Sequence, residues 1–130
     1  MLASYQHIYE FEVRDYECDL QGIVNNANYQ HYLEHARHKF LISANIDFAA
    51  LSQRGVNLVV VRVEIDYLFP LRSNDRFVVA SNPIPISRVR FGIEQAIFRV
   101  PDHKPIVTAK IIGAVMDATG RAIRPPPGDR

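Results

Sequence analysis

The chain has 130 residues, enough for one ordinary core and too few for two. Its 48% hydrophobic and 22% charged residues exclude a disordered polypeptide. A formal charge of +1, from 15 basic against 14 acidic side chains, gives no electrostatic footprint for nucleic acid, and the single cysteine, Cys18, excludes an intrachain disulfide and a cysteine-built metal site.

Taken in chain order, the segment from Tyr5 to Tyr16 alternates Ile8, Glu10, Glu12 and Arg14 against Tyr9, Phe11 and Val13, which predicts a strand with one buried face. A loop follows from Glu17 to Asn28, broken by Gly22 and three asparagines. Tyr29, Tyr32, Leu33, Ala36 and Phe40 then recur at helical spacing, so one amphipathic helix is expected to about Ala44, capped by an asparagine within Asn25 to Asn28. A short second helix is expected over Phe48 to Gln53, ending at Gly55. Strands are expected over Val56–Phe69, Arg76–Ile86, Val89–Val100 and Ile106–Asp117, with a polar turn at Leu71–Asp75 and another over Pro101 to Pro105. Pro83 and Pro85 demote the far end of their strand to an edge or bulge. The run Leu58-Val-Val-Val reads as covered on both faces, which places its strand centrally or at a subunit interface. The three prolines after Arg124 predict an extended tail over 124–130.

One helix with a broad apolar stripe beside a meander of strands is best buried by wrapping the sheet around the helix. The expected class is therefore α+β, with a five-stranded antiparallel sheet around one long helix and a single domain over 1–130. A ferredoxin-like sandwich would need a second long helix between the later strands, and none is visible. The stretch Met1-Leu-Ala-Ser-Tyr-Gln-His is not a basic segment followed by an apolar run, and the apolar stretches elsewhere fall far short of a bilayer span. A cytoplasmic location without membrane association is expected.

The chemistry-bearing segment runs from Val13 to Arg37. It sets Asp15, Glu17 and Asp19 just before a glycine turn, and the turn feeds a helix start. Free N–H groups at such a start suit an anion or a developing oxyanion, and a carboxylate on the entering loop can face the same ligand. Acyl transfer needs this pair, a base or nucleophile on one side and fixed donors on the other. On spacing alone, the plainer reading stays open: three loop carboxylates that cap turns or sit in water, before an asparagine-capped helix.

Glu17-Cys-Asp19, Gly22-Ile-Val24, Asn28-Tyr29, Tyr32 and Glu34-His-Ala-Arg37 together resemble the signature of the 4-hydroxybenzoyl-CoA thioesterase branch of the hotdog superfamily. The spelling Val13-Arg-Asp-Tyr-Glu with Val24-Asn-Asn-Ala is most similar to plant and cyanobacterial members, which act on 1,4-dihydroxy-2-naphthoyl-CoA or on acyl carriers. The resemblance extends through Phe69-Pro-Leu-Arg-Ser-Asn-Asp-Arg-Phe77, over essentially the whole chain. It implies an acyl-CoA thioesterase with the hotdog fold, a homodimer or homotetramer, needing no cofactor and no metal. Asp19 falls at the catalytic aspartate, as nucleophile or general base. Asn26 falls where a backbone N–H polarises the thioester carbonyl, and Gly22 lets the backbone approach the substrate closely. Glu17, Asn25 and Tyr29, with Arg88 and Arg90 from a neighbouring subunit, are candidate substrate contacts. Arg72 and Arg76 have a weaker claim.

The rivals are an acyl-carrier-protein thioesterase with the same Asp19 chemistry, a hotdog dehydratase lacking the required histidine before the helix, and a non-catalytic acyl-CoA-binding module. His31, His35 and His38 sit at helical spacings that mimic a metal pair, yet no matching ligand cluster accompanies them, so a solvated face is expected. His7 and His103 read as surface residues. Glu34 is expected to pair with Arg37 or His38 across one turn, and Cys18 to pack.

Overall fold

A computed structural model describes residues 4–123, without the side chain of Phe48; the tail expected over 124–130 lies outside the described residues. The elements are β1 (His7–Glu12), α1 (Asn26–Ser43), α2 (Phe48–Gln53), β2 (Asn57–Tyr67), β3 (Arg76–Pro85), β4 (Arg90–Val100), β5 (Lys104–Met116) and β6 (Ala122–Ile123). All strand pairs are antiparallel, in the order β1-β3-β4-β5-β2, with β6 added to β5. The sheet thus has six strands rather than five, because the turn at Asp117–Arg121 sends two more residues back along β5.

The expected helix stripe is the buried one. Tyr29, Tyr32, Leu33, Ala36 and Phe40 are all buried, and the first four share one core cluster with Phe77, Val79, Ile97, Val107 and Ile111 of the sheet. Each such large apolar side chain removed from water contributes about 1.5–3 kcal/mol. On the opposite face Val78, Ala80, Ala96 and Phe98 form a smaller cluster, with Tyr5 set edge-on to Phe98. This is the helix-in-sheet arrangement of the hotdog fold.

Three expectations need correction. The first strand is shorter than Tyr5–Tyr16, because Asp15–Glu17 winds into a 3₁₀ turn and takes the chain out of the sheet. The later strands do not form a simple meander: β2 pairs with β5 and lies at the sheet edge, not at its centre. Its apolar residues are accordingly open, with Val60 48%, Val61 40% and Val63 39% exposed. Finally, His7 is half-buried, with its ring 5.6 Å from that of Phe40. Pro83 and Pro85 behave as expected, since β1 covers β3 only as far as Ser81 and leaves the proline end with one free side.

Candidate active site

The segment before α1 is anchored by Val13, which is buried and exchanges backbone hydrogen bonds with Asn74 and Asp75 of the β2–β3 loop. After the 3₁₀ turn the chain folds back on itself. Cys18 bridges to Val24, the Asp19 N–H donates to the Ile23 carbonyl at 2.9 Å, and the Gly22 N–H donates to the Asp19 carbonyl at 3.0 Å. Gly22 has φ +79°, the left-handed position that closes a tight three-residue loop and that a Cβ would strain. The Asp19 carboxylate lies over this turn: Oδ1 accepts from the Gln21 N–H at 2.8 Å and from the Ile23 N–H at 3.4 Å. Asp19 is exposed in the single chain, and its neighbour Leu20 is fully so.

Two residues on, α1 begins. Asn25 is its N-cap, accepting through Oδ1 from the Ala27 N–H at 3.0 Å. Asn26 is the first helical residue, and its N–H is among those that no helical carbonyl can reach. Asp19, Gly22, Asn25 and Asn26 are therefore gathered on one small loop and helix start.

Two buried tyrosines tie that loop to the helix. The Tyr32 hydroxyl donates to Glu17 Oε1 at 2.8 Å, on the arm entering the turn. The Tyr29 hydroxyl accepts from the Leu71 N–H at 2.9 Å, and the Leu71 carbonyl accepts from the Val24 N–H at 2.8 Å, on the arm leaving it. Burial raises both phenol pKa values, that of Tyr32 further because its proton is shared with Glu17. Tyr29 is only 3% exposed, so this chain uses it as a core residue. Burial, and then the carboxylates of Asp15, Asp19 and Glu17, push the Cys18 thiol up, which keeps it protonated.

Arg88 and Arg90 lie at the β3–β4 turn, next to the pair Pro85–Phe91. The Asp19 loop instead meets the start of β3 through the Ile23–Arg72 bridge. The ten residues of β3 separate the two ends, about 33 Å of strand. One chain does not bring these arginines to Asp19. Arg72 does reach the loop; Arg76 is committed to Glu10 at 3.1 Å. Among the described residues no group of three or more His, Cys, Asp or Glu could hold a metal ion. His35 leans on Tyr9 and Phe11 from the exposed face of α1.

A cavity of about 420 Å³ opens beside the C-terminal half of α1, lined by Phe40, Leu41, Ile46, Leu58, Phe91 and Ile93 among others, with Gln6 as its polar member. Gly113 makes room for its wall, since a Cβ there would stand 2.3 Å from the Phe91 ring. A smaller cavity shares Leu41, Leu58, Phe91 and Ile93 with it and reaches Glu34, Arg37 and His38. Burial lowers the Arg37 pKa while the Glu34 charge acts the other way, and Arg37 Nη1 donates to the buried Gln95 at 3.3 Å. Sequence reasoning missed Gln95, the bond that Arg37 donates to it, and the hydroxyl roles of Tyr29 and Tyr32.

Among known proteins, a chloroplastic acyl-acyl carrier protein thioesterase of Arabidopsis thaliana is 42% identical over 120 residues, 92% of this chain; the chain spans 64% of that relative's length. The long-chain acyl-CoA thioesterase FadM of Escherichia coli is 27% identical over 108 residues, 83% of this chain and 81% of its own. In fold, the chain is similar to a 1,4-dihydroxy-2-naphthoyl-CoA thioesterase from Synechocystis, with a TM-score of 0.88 at 19% identity over 94% of this chain and 90% of that one. The sequence pattern of one family covers the site loop, the helix and every later strand, from residue 13 to residue 129: the chain belongs to the thioesterase-like superfamily.

Proposed function

We propose that the chain hydrolyses acyl-CoA thioesters to free acid and CoA, with Asp19 as the reacting carboxylate. The observation that supports this reading is the short turn that carries Asp19 and leads directly into Asn25, the N-cap of α1. Asp19 either attacks the thioester carbonyl, forming a mixed anhydride that water opens, or takes a proton from the attacking water. In both routes the Asn26 N–H and the helix dipole stabilise the oxyanion, and the thiolate leaves. Gly22 keeps the approach open, since no atom lies within 4 Å of where its Cβ would stand. Neither step calls for a metal or cofactor. Asn25, Arg88 and Arg90 are assigned to substrate binding, the arginines to CoA phosphates presented across a subunit boundary.

The working unit in this proposal is a homodimer or a homotetramer of such dimers. Its support is the open β2 edge with its exposed valines, which a second copy would cover, and the exposure of Asp19 and Leu20 in a lone chain. The largely apolar cavity beside the C-terminal half of α1 suits an apolar acyl group. No helix among the described residues is long and apolar enough to cross a membrane. A cytoplasmic location belongs to the same proposal, supported by the lone reduced cysteine.

A second reading, hydrolysis of acyl groups held on a carrier protein, is favoured by the 42% identity to a relative named for that substrate. Thiol release from benzoyl-, hydroxynaphthoyl- and short- to long-chain fatty acyl-CoAs, run beside Asp19→Asn, tests the first reading. Hydrolysis that disappears in the variant is expected. Unchanged turnover in Asp19→Asn would remove Asp19 from the chemistry, and activity on acyl carrier protein alone would select the second reading.

A further inference from the structure

We propose that Glu17 and Tyr32 form a clasp that fixes the direction of the Asp19 carboxylate, with Glu17 serving as a hydrogen-bond acceptor rather than as a contact to substrate. The role of Asp19 rests on the function proposed above; the clasp itself does not.

Glu17 is half-buried, two residues before Asp19, and it is held at both its backbone and its side chain. Its carbonyl accepts from the Asn25 N–H at 3.1 Å and from Asn28 Nδ2 at 2.8 Å, joining the entering arm to the cap and first turn of α1. Its Oε1 accepts from the Arg14 N–H at 2.8 Å and from the Tyr32 hydroxyl at 2.8 Å. One side-chain oxygen thus ties the start of the 3₁₀ turn to the second turn of the helix. Glu17 accepts four hydrogen bonds, and each comes from backbone or from a side chain of the helix that carries the oxyanion donor. The Tyr32 ring cannot drift, since it is 4% exposed and packs 4.7 Å from Phe77 and 5.5 Å from Phe11.

The geometry transmits to Asp19 because the turn is short. From Glu17 the chain runs through Cys18, bridged to Val24, directly into Asp19, whose carboxylate hangs on the amides of its own turn. Any tilt of the entering arm moves the carboxylate relative to Asn26. A displacement of about 1 Å at reacting groups costs on the order of 10²-fold in rate. Glutamine offers the same acceptor at Oε1, so charge and acceptor can be separated. Tyr32→Phe removes the other half of the bond and leaves the ring packing in place.

The test uses the full chain with lauroyl-CoA as probe substrate, together with amide hydrogen exchange read on peptides spanning 17–25. Glu17→Ala and Tyr32→Phe are expected to lower kcat about 10- to 100-fold with KM within about 2-fold. They are also expected to speed exchange in 17–25 while β4 and β5 keep wild-type protection. Glu17→Gln should stay within about 3-fold of wild type in both readouts. Three results would overturn the clasp: wild-type exchange in 17–25 for Glu17→Ala, a rise in KM at constant kcat, or a Glu17→Gln variant as impaired as Glu17→Ala. If neither the wild-type chain nor Asp19→Asn cleaves lauroyl-CoA or any other acyl-CoA of the panel above, the failure belongs to the proposed function, and the exchange data still decide the clasp.

Discussion

Gln95 offers a stringent check on how the helix is held to the sheet. It stands on β4 opposite Ser81 of β3 and is 2% exposed. Its Nε2 donates to the Leu33 carbonyl on α1 at 3.1 Å and to Ser81 Oγ at 3.0 Å, and its Oε1 accepts from Arg37. Gln95→Met keeps roughly the same volume and removes every one of these bonds. Two buried neutral bonds are worth about 1 kcal/mol each, and the desolvated Arg37 left without its acceptor adds about 1 kcal/mol. A loss of about 2–3 kcal/mol follows, or a fall in Tm of about 8–12 °C for a chain of this size. Urea unfolding at one fixed protein concentration measures it, because an associating protein gains stability with concentration. A double-mutant cycle with Ser81→Ala should show coupling above about 0.5 kcal/mol. A loss below about 0.5 kcal/mol, or additive single variants, would refute the view that this polar knot binds helix to sheet.

Three further outcomes are expected. Gly22→Ala meets no atom, so its penalty is torsional, about 1–2 kcal/mol; Gly120→Ala, at φ +84° and equally unobstructed, should match it in stability yet retain full turnover. Equal turnover in the two variants would contradict a catalytic role for the Asp19 turn. Val60→Glu combined with Val63→Glu should halve the mass seen by light scattering, and an unchanged mass would move the subunit contact away from β2. Burial holds the His7 pKa below its ordinary value, so the unfolded chain binds that proton more readily than the folded one. Stability should therefore fall as pH drops below about 6.5, and His7→Phe should flatten that dependence in urea midpoints taken at about pH 7.5 and 5.5; an identical slope would show that other groups set it.

Local periodicity carried the reading far where one element decides its own burial. The stripe Tyr29, Tyr32, Leu33, Ala36 and Phe40 was legible because a helix repeats every 3.6 residues whatever it packs against. Pro83 and Pro85 were legible for a similar reason, since a proline nitrogen has no proton to give a neighbour strand. The Asp19 turn and helix start were legible as a motif, because Gly22 and Asn25 write their backbone geometry into residue type. Pairing order was not. Leu58-Val-Val-Val looks the same whether a strand of its own chain or another copy lies beside it, so residue type alone leaves a central strand and a subunit interface equally open, and the edge position of β2 removes only the first. Leu71 sat unnoticed in a polar turn although it is fully buried, because its burial is set by Tyr29, 42 residues earlier. Gln95 reads as an ordinary polar residue and Glu17 as a substrate contact, and only the fold supplies their hydrogen-bond partners.

The layout of α1 has a consequence for how such a chain can change. Its 18 residues form a rod of about 27 Å, with the tyrosine-anchored turn at one end and the apolar cavity at the other. Substitutions around Phe40, Leu41 and Phe91 lie well beyond the roughly 10 Å within which effects couple, so within one chain they should combine almost additively with changes at the Asp19 turn. A lineage carrying this architecture can vary the volume and shape of its cavity in single steps while the turn stays intact. The helix works as a spacer that insulates one end from the other, and that insulation lets selection act on each separately.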